Sequence, residues 1–103
     1  MHVVAWSYRV RPGCEPGFEA LYAADGAWAR LFAQSPSHLG TRLLRDVDDP
    51  ACYLTLDRWR SRADYESFLA DRRAAYSALD QEGDALTLEE ARVGAFDAGG
   101  SAS

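Results

Sequence analysis

TRLLRDVDDPACYLTLDRWRSRAD, Thr41–Asp64, decides the fold. TRLLRD (41–46) and ACYLTLDRW (51–59) each read as a strand. The DVDDP turn that joins them supplies the Asp and Pro residues that reverse a chain tightly, so the pair is expected to be a hairpin. In SRAD, Ser61 and Asp64 have capping-box spacing. The Ser61 hydroxyl accepts from an early helical amide while Asp64 answers at the third helical position, and a helix follows the hairpin at once. Its apolar stripe runs through Tyr65, Phe68, Leu69, Tyr76 and Leu79, with Arg72 in the same stripe, and Gly83 is expected to end it.

On the N-terminal side, VVAWSYRV (3–10) is rich in β-branched and aromatic residues and stops at RPG (11–13), which makes it the first strand. Pro16 suits a first helical turn, and Phe18, Leu21, Tyr22, Trp28, Leu31 and Phe32 then recur at three- and four-residue spacings. Gly26 interrupts that helix at a cost of about 1 kcal/mol relative to alanine, so a kink or a close backbone approach is expected there. SPSHLG (35–40) ends the helix, and ALTLEEARVGAF (85–96) is the last strand. The order is β-α-β-β-α-β: an α+β, ferredoxin-like chain with an antiparallel sheet and both helices on one face. Residues 1–96 form one domain, and 97–103, DAGGSAS, read as a flexible tail.

Two helices leave the second sheet face bare. Val3, Ala5, Leu54, Leu56, Ala91, Val93 and Ala95 are expected on it, and pairing with a second copy would cover them as a homodimer. The chain has 103 residues and a net charge of -5, and its longest basic run is the pair Arg72 and Arg73. That excludes the concentrated positive field by which nucleic acid and anionic membranes recruit partners. The opening MHVVAWSYR lacks the apolar run of a signal peptide or membrane span, so a cytoplasmic location is expected.

Cys14 and Cys52 are too sparse for a disulfide scaffold and are expected as free thiols. His2 and His38 have no metal-ligand spacing to a second ligand, and no metal is expected. Phosphate-binding glycine loops and the GxSxG serine elbow are absent from the sequence.

What remains is a face of unusual composition. Strand alternation puts Tyr53, Thr55, Asp57 and Trp59 on the helix-facing side of the third strand, and Val4, Trp6, Tyr8 and Val10 on that side of the first. With Phe18, Tyr22, Trp28, Phe68 and Tyr76 from the helices, these line either an apolar pocket with a few polar handles or a plain aromatic core. Asp57 is a base, an ion-pair partner or a solvated strand end, and His38 either faces the cleft or lies in a surface loop.

The stretches FEALYAADGAWARLF (18–32), LGTRLLRDVDDPACYLTLDRWRSRADYESFL (39–69) and YSALDQEGDALTLEEARVGAF (76–96) resemble the antibiotic biosynthesis monooxygenase family of dimeric α+β barrels. The resemblance implies a homodimer with a ligand cleft in each protomer between helices and sheet. It also implies cofactor-independent oxygenation of a small aromatic, phenolic or quinol-type compound. Trp59 would border the ligand at the end of the third strand. Trp59, Tyr76 and Arg72 are the catalytic candidates; Trp6, Tyr22, Phe18, Trp28 and Phe68 are the candidates for binding substrate.

No cofactor is expected on this branch, because an ionised electron-rich phenol can itself donate an electron to oxygen. The haem-degrading branch carries an iron-ligating histidine where Tyr76 stands and an asparagine where Trp6 stands, which argues against it. A non-catalytic ligand-binding or structural dimer of the same fold is the alternative.

Overall fold

In a computed structural model, which describes residues 1–98, the chain runs β1 (His2–Val10), α1 (Glu15–Tyr22), α2 (Ala27–Phe32), β2 (His38–Arg45), β3 (Cys52–Trp59), α3 (Arg62–Asp71), α4 (Arg73–Asp84) and β4 (Thr87–Asp97). The strands form one antiparallel sheet in the order β2-β3-β1-β4. This is the expected ferredoxin-like order, with each of the two expected helices divided.

The first division falls at Gly26, which is the N-cap of α2. A Cβ there would stand 2.7 Å from the Leu21 carbonyl oxygen and 2.8 Å from that of Ala20, so only glycine lets α2 turn back so tightly over the end of α1. The second falls at Arg72, whose φ of -118° and ψ of 28° break the helical course between α3 and α4. Gly83 does not end the helix as expected, for α4 runs on to Asp84. Its lack of a side chain instead admits the Tyr22 hydroxyl, which a Cβ at this position would collide with. At the start of α3, the Asp64 N–H donates to Ser61 Oγ over 3.1 Å, the anticipated cap.

Between sheet and helices lies an aromatic core that includes Tyr8, Phe18, Tyr22, Phe32, Trp59 and Phe68. Phe18 stacks on Tyr22 with centroids 4.2 Å apart and interplanar angle 15°. No helix among the described residues is long and apolar enough to cross a membrane.

On the outer face, Ala5 opposes Leu56, Ser7 opposes Leu54, and Leu44 of β2 opposes Leu54 from the other side. The β4 part departs from the expected alternation. A bulge between the Ala5/Gly94 and Trp6/Arg92 pairs sets Ala95 opposite Val4, on the helix side, and Phe96 opposite Val3, on the outer side. One extra residue in the strand inverts the parity beyond it. Val93 sits in the bulge. Strand β4 also takes in Asp97, paired with His2, and the Ala98 N–H donates to the Met1 carbonyl over 2.8 Å. Strand β4 thus reaches one residue past the expected boundary at 96, and the rest of the expected tail, 99–103, lies outside the described residues.

Candidate active site

The sheet register builds the floor of the cavity. Trp6 of β1 lies between Thr55 of β3 and Arg92 of β4, and Tyr8 lies between Tyr53 and Glu90. Tyr22, Trp28 and Phe32 from α1 and α2, and Tyr65, Tyr76 and Asp80 from α3 and α4, supply the roof. The enclosed space is about 30 Å³, with Thr41 and Asp57 also on its wall. That is room for a water or two. Glu90 is exposed and Asp80 half-buried, so the cavity meets solvent between β4 and α4.

The polar groups fall into three sets. First, Tyr8, Tyr22 and Tyr76 have their pKa values pushed up, chiefly by burial and further by nearby acidic or tyrosyl groups; a contact with the Thr55 hydroxyl partly offsets this at Tyr8. They stay neutral hydroxyls that can donate hydrogen bonds, and none is a ready phenolate.

Second, Asp57 accepts from the Thr41 hydroxyl and lies 3.3 Å from His38 Nε2, with His38 packed edge-on against Trp59 at 4.9 Å between centroids. Asp57 is therefore a half-buried partner in a three-residue network with one side on the cavity. Third, the Trp28 indole N–H is buried with no hydrogen-bond partner among the described residues. It lies near enough to the Tyr22 hydroxyl to restrain the rise of the Tyr22 pKa, but forms no bond that satisfies it.

Four sequence candidates, Trp6, Tyr22, Trp28 and Tyr76, come together on this wall. The other four are placed elsewhere. Trp59 has no exposed surface and packs against Phe32, His38, Tyr65 and Phe68 behind the wall. Phe18 is fully buried beneath Tyr22, and Phe68 is in the core next to Trp59. Arg72 sits with Phe68 in a separate surface groove beside Gln34 and Ser35, its guanidinium 6.0 Å from the Phe68 ring centre.

The cavity also has members that the sequence reading passed over: Phe32, Thr41, Tyr65, Asp80 and Glu90. Glu89 and Glu90 are adjacent, and only the Tyr8 register shows which of them faces inward. The Cys52 thiol donates to Asp49 Oδ2 over 3.3 Å, and that bond and burial raise its pKa, which leaves it a poor nucleophile.

The sequence matches the family model for antibiotic biosynthesis monooxygenases over residues 1–75. The chain belongs to the antibiotic biosynthesis monooxygenase family. Among solved structures it is similar to SnoaB, a cofactor-independent oxygenase from Streptomyces nogalater, with a TM-score of 0.77 and 23% identity over 97% of this chain and 94% of that one. An asparagine-to-alanine variant of SnoaB superposes with a TM-score of 0.81 at 22% identity, over the same shares of the two chains. A protein from Deinococcus radiodurans assigned to the same monooxygenase family gives 0.80 at 14% identity, over 100% of this chain and 97% of that one. At these identities the likeness establishes the fold. No curated protein gives a significant sequence match. Membership of the family supports a monooxygenase-type activity.

Proposed function

We propose that this protein is a cofactor-independent monooxygenase for a small phenolic or quinol-type aromatic, working as a homodimer. The observation that carries the reading is the cavity between helices and sheet: its walls are aromatic, and the Trp28 N–H is buried there without an acceptor. An orphaned buried donor costs about 1–3 kcal/mol, and a substrate oxygen would recover that loss. Trp6 and Phe32 offer flat faces for an aromatic ring, and Tyr22 and Tyr76 offer neutral hydroxyls to its oxygens.

The chemistry asks little more of the protein. An anthrol-type substrate loses its hydroxyl proton; the resulting anion gives an electron to dioxygen, and the two radicals join in a carbon–oxygen bond at the position opposite the original oxygen. The peroxide anion so formed takes up a proton, and the hydroperoxide loses water together with the hydrogen on that carbon to leave a carbonyl, so one oxygen atom enters the product and the other departs as water. Burial and hydrogen-bond donors stabilise the anion as it forms.

Of the eight candidates, Trp6, Tyr22, Trp28 and Tyr76 are assigned to direct contact with substrate. Trp59, Phe18 and Phe68 back the wall, and Arg72 is assigned no contact. The 30 Å³ of free space is far below the roughly 300 Å³ of small ligand pockets, so substrate entry must swing the half-buried Trp6, Tyr65 or Tyr76 aside. The same tightness favours a second reading, in which the cleft is filled by its own aromatics and the protein is a binding or structural dimer without turnover. Oxygen uptake with a panel of anthrols, flavonols and small quinols, without added metal or flavin, separates the two.

The dimer rests on the outer sheet face, where Leu44, Leu54, Leu56 and the half-exposed Phe96 lie across adjoining strands. Light scattering at micromolar concentration should return twice the mass of one chain. A monomer at every concentration would contradict it.

A further inference from the structure

Glu90 lies opposite Tyr8 in the sheet, and across the cavity mouth Asp80 and Asp84 of α4 bring their carboxylates close; one oxygen from each of the three lies within 4.8 Å of the others. We propose that Glu90 is the base of this cavity, taking the hydroxyl proton of a phenolic ligand whose oxygen is held by the Trp28 indole N–H, while Asp80 and Asp84 pass the proton to solvent.

Two independent features meet here. Trp28 and Glu90 line one cavity, one with a buried donor that has no acceptor among the described residues and the other with a carboxylate that forms no salt bridge among them. A phenolic hydroxyl, which both accepts and donates, answers both. In the transfer the phenol O–H bond breaks and an O–H bond forms on the Glu90 carboxylate, with the electron pair left on the phenolic oxygen.

The surroundings suit a base that works near neutrality. Partial desolvation at the cavity mouth first, then the negative charges of Asp80 and Asp84, raise the Glu90 pKa to about 7. A carboxylate so raised takes a proton far more readily than an ordinary one, and is still ionised above neutral pH. The other titratable groups facing it are Tyr8 from β1, Tyr22 from α1 and Tyr76 from α4, all held neutral. Arg92 is on the same strand and face, opposite Trp6. The three acidic groups sit at the mouth, with Asp84 and Glu90 exposed, so a proton taken inside has a short route out.

As a step in turnover, the assignment rests on the oxygenase reading; as a binding interaction it stands alone. The experiment therefore has two arms, both with EDTA present and both on the whole chain. In the first, 2-naphthol and its methyl ether are titrated by fluorescence between about pH 5.5 and 8.5, a range chosen to span ionisation of the base but not of the ligand. Naphthol affinity should rise about 10-fold with pH, the scale of a hydrogen bond gained to a charged acceptor. Glu90→Gln should flatten that rise, and the ether, which has no proton to give, should be flat in both proteins. Naphthol binding that ignores pH, keeps its rise in Glu90→Gln, or cannot be detected would overturn the proposal.

In the second arm, kcat/KM for oxygen uptake on an anthrol should rise through about pH 7, and Glu90→Gln should remove that rise and lower the rate about 100-fold or more. Full activity in Glu90→Gln with the rise intact would remove Glu90 as the base and leave the oxygenase standing. The expected naphthol titration without any oxygen uptake would do the reverse.

Discussion

Trp59→Ala should lower the unfolding free energy by about 3–5 kcal/mol, the usual cost of emptying a fully buried Trp site. The indole has no exposed surface and packs within 5.4 Å, centroid to centroid, of Phe32, His38, Tyr65 and Phe68. Removing it therefore undermines β3, α2 and α3 together. Its N–H is buried without a partner, so Trp59→Phe, which keeps an aromatic ring and discards the unsatisfied donor, should cost about 1 kcal/mol. Urea unfolding followed by far-UV circular dichroism would measure both. A loss below about 1 kcal/mol in Trp59→Ala would contradict the core assignment. Any fall in ligand affinity in this variant should track its lost stability, because the ring backs the cavity and does not line it.

Gly26→Ala should destabilise the chain by about 3 kcal/mol, at the upper end of overpacking. The added methyl would lie 2.7 and 2.8 Å from two backbone carbonyl oxygens of α1, and no rotamer change relieves a backbone clash. The corner between α1 and α2 must open, which carries Trp28 and Phe32 away from the cavity, so ligand affinity should fall with stability. Gly17→Ala is the control. Its nearest neighbour is the Leu86 side chain at 3.7 Å, and within α1 alanine is the better helix former by about 1 kcal/mol. Paired melts should move in opposite directions, and a harmless Gly26→Ala would refute the close approach.

The strands, the hairpin and the Ser61 cap were legible because each is a local signal: alternation, turn residues and a three-residue capping spacing. That the helix would kink or meet another backbone at Gly26 was legible for the same reason, since a glycine inside an apolar helical pattern demands a physical cause. The break at Arg72 was not, because no glycine or proline marks it. Nor was the bulge in β4, since the extra residue is seen only once β4 is registered against β1, and without it the parity of Ala95 and Phe96 comes out reversed.

The candidate site divides along similar lines. Composition brought Trp6, Tyr22, Trp28 and Tyr76 to one face, but an aromatic residue on the helix side of a sheet serves a core and a cavity wall equally well. Trp59 and Phe18 became core because Tyr22, Phe32 and Phe68 pack over them. Glu90 escaped notice because its importance lies in its distance from Asp80 and Asp84, which helical spacing pairs on α4 but only the α4–β4 packing brings to Glu90.

Oxygen consumption by the purified chain tests the central claim most directly. With an anthrol or quinol as sole addition, and with EDTA present and no flavin or haem supplied, an oxygen electrode should record uptake well above the buffer rate. Dioxygen and substrate should disappear one for one as the carbonyl product forms, and the rate should fall in Trp28→Phe, which leaves the ring in place and removes the unpartnered donor. Uptake at the buffer rate for every member of the panel, with the protein folded and dimeric, would contradict the oxygenase account and leave a binding or structural dimer in its place.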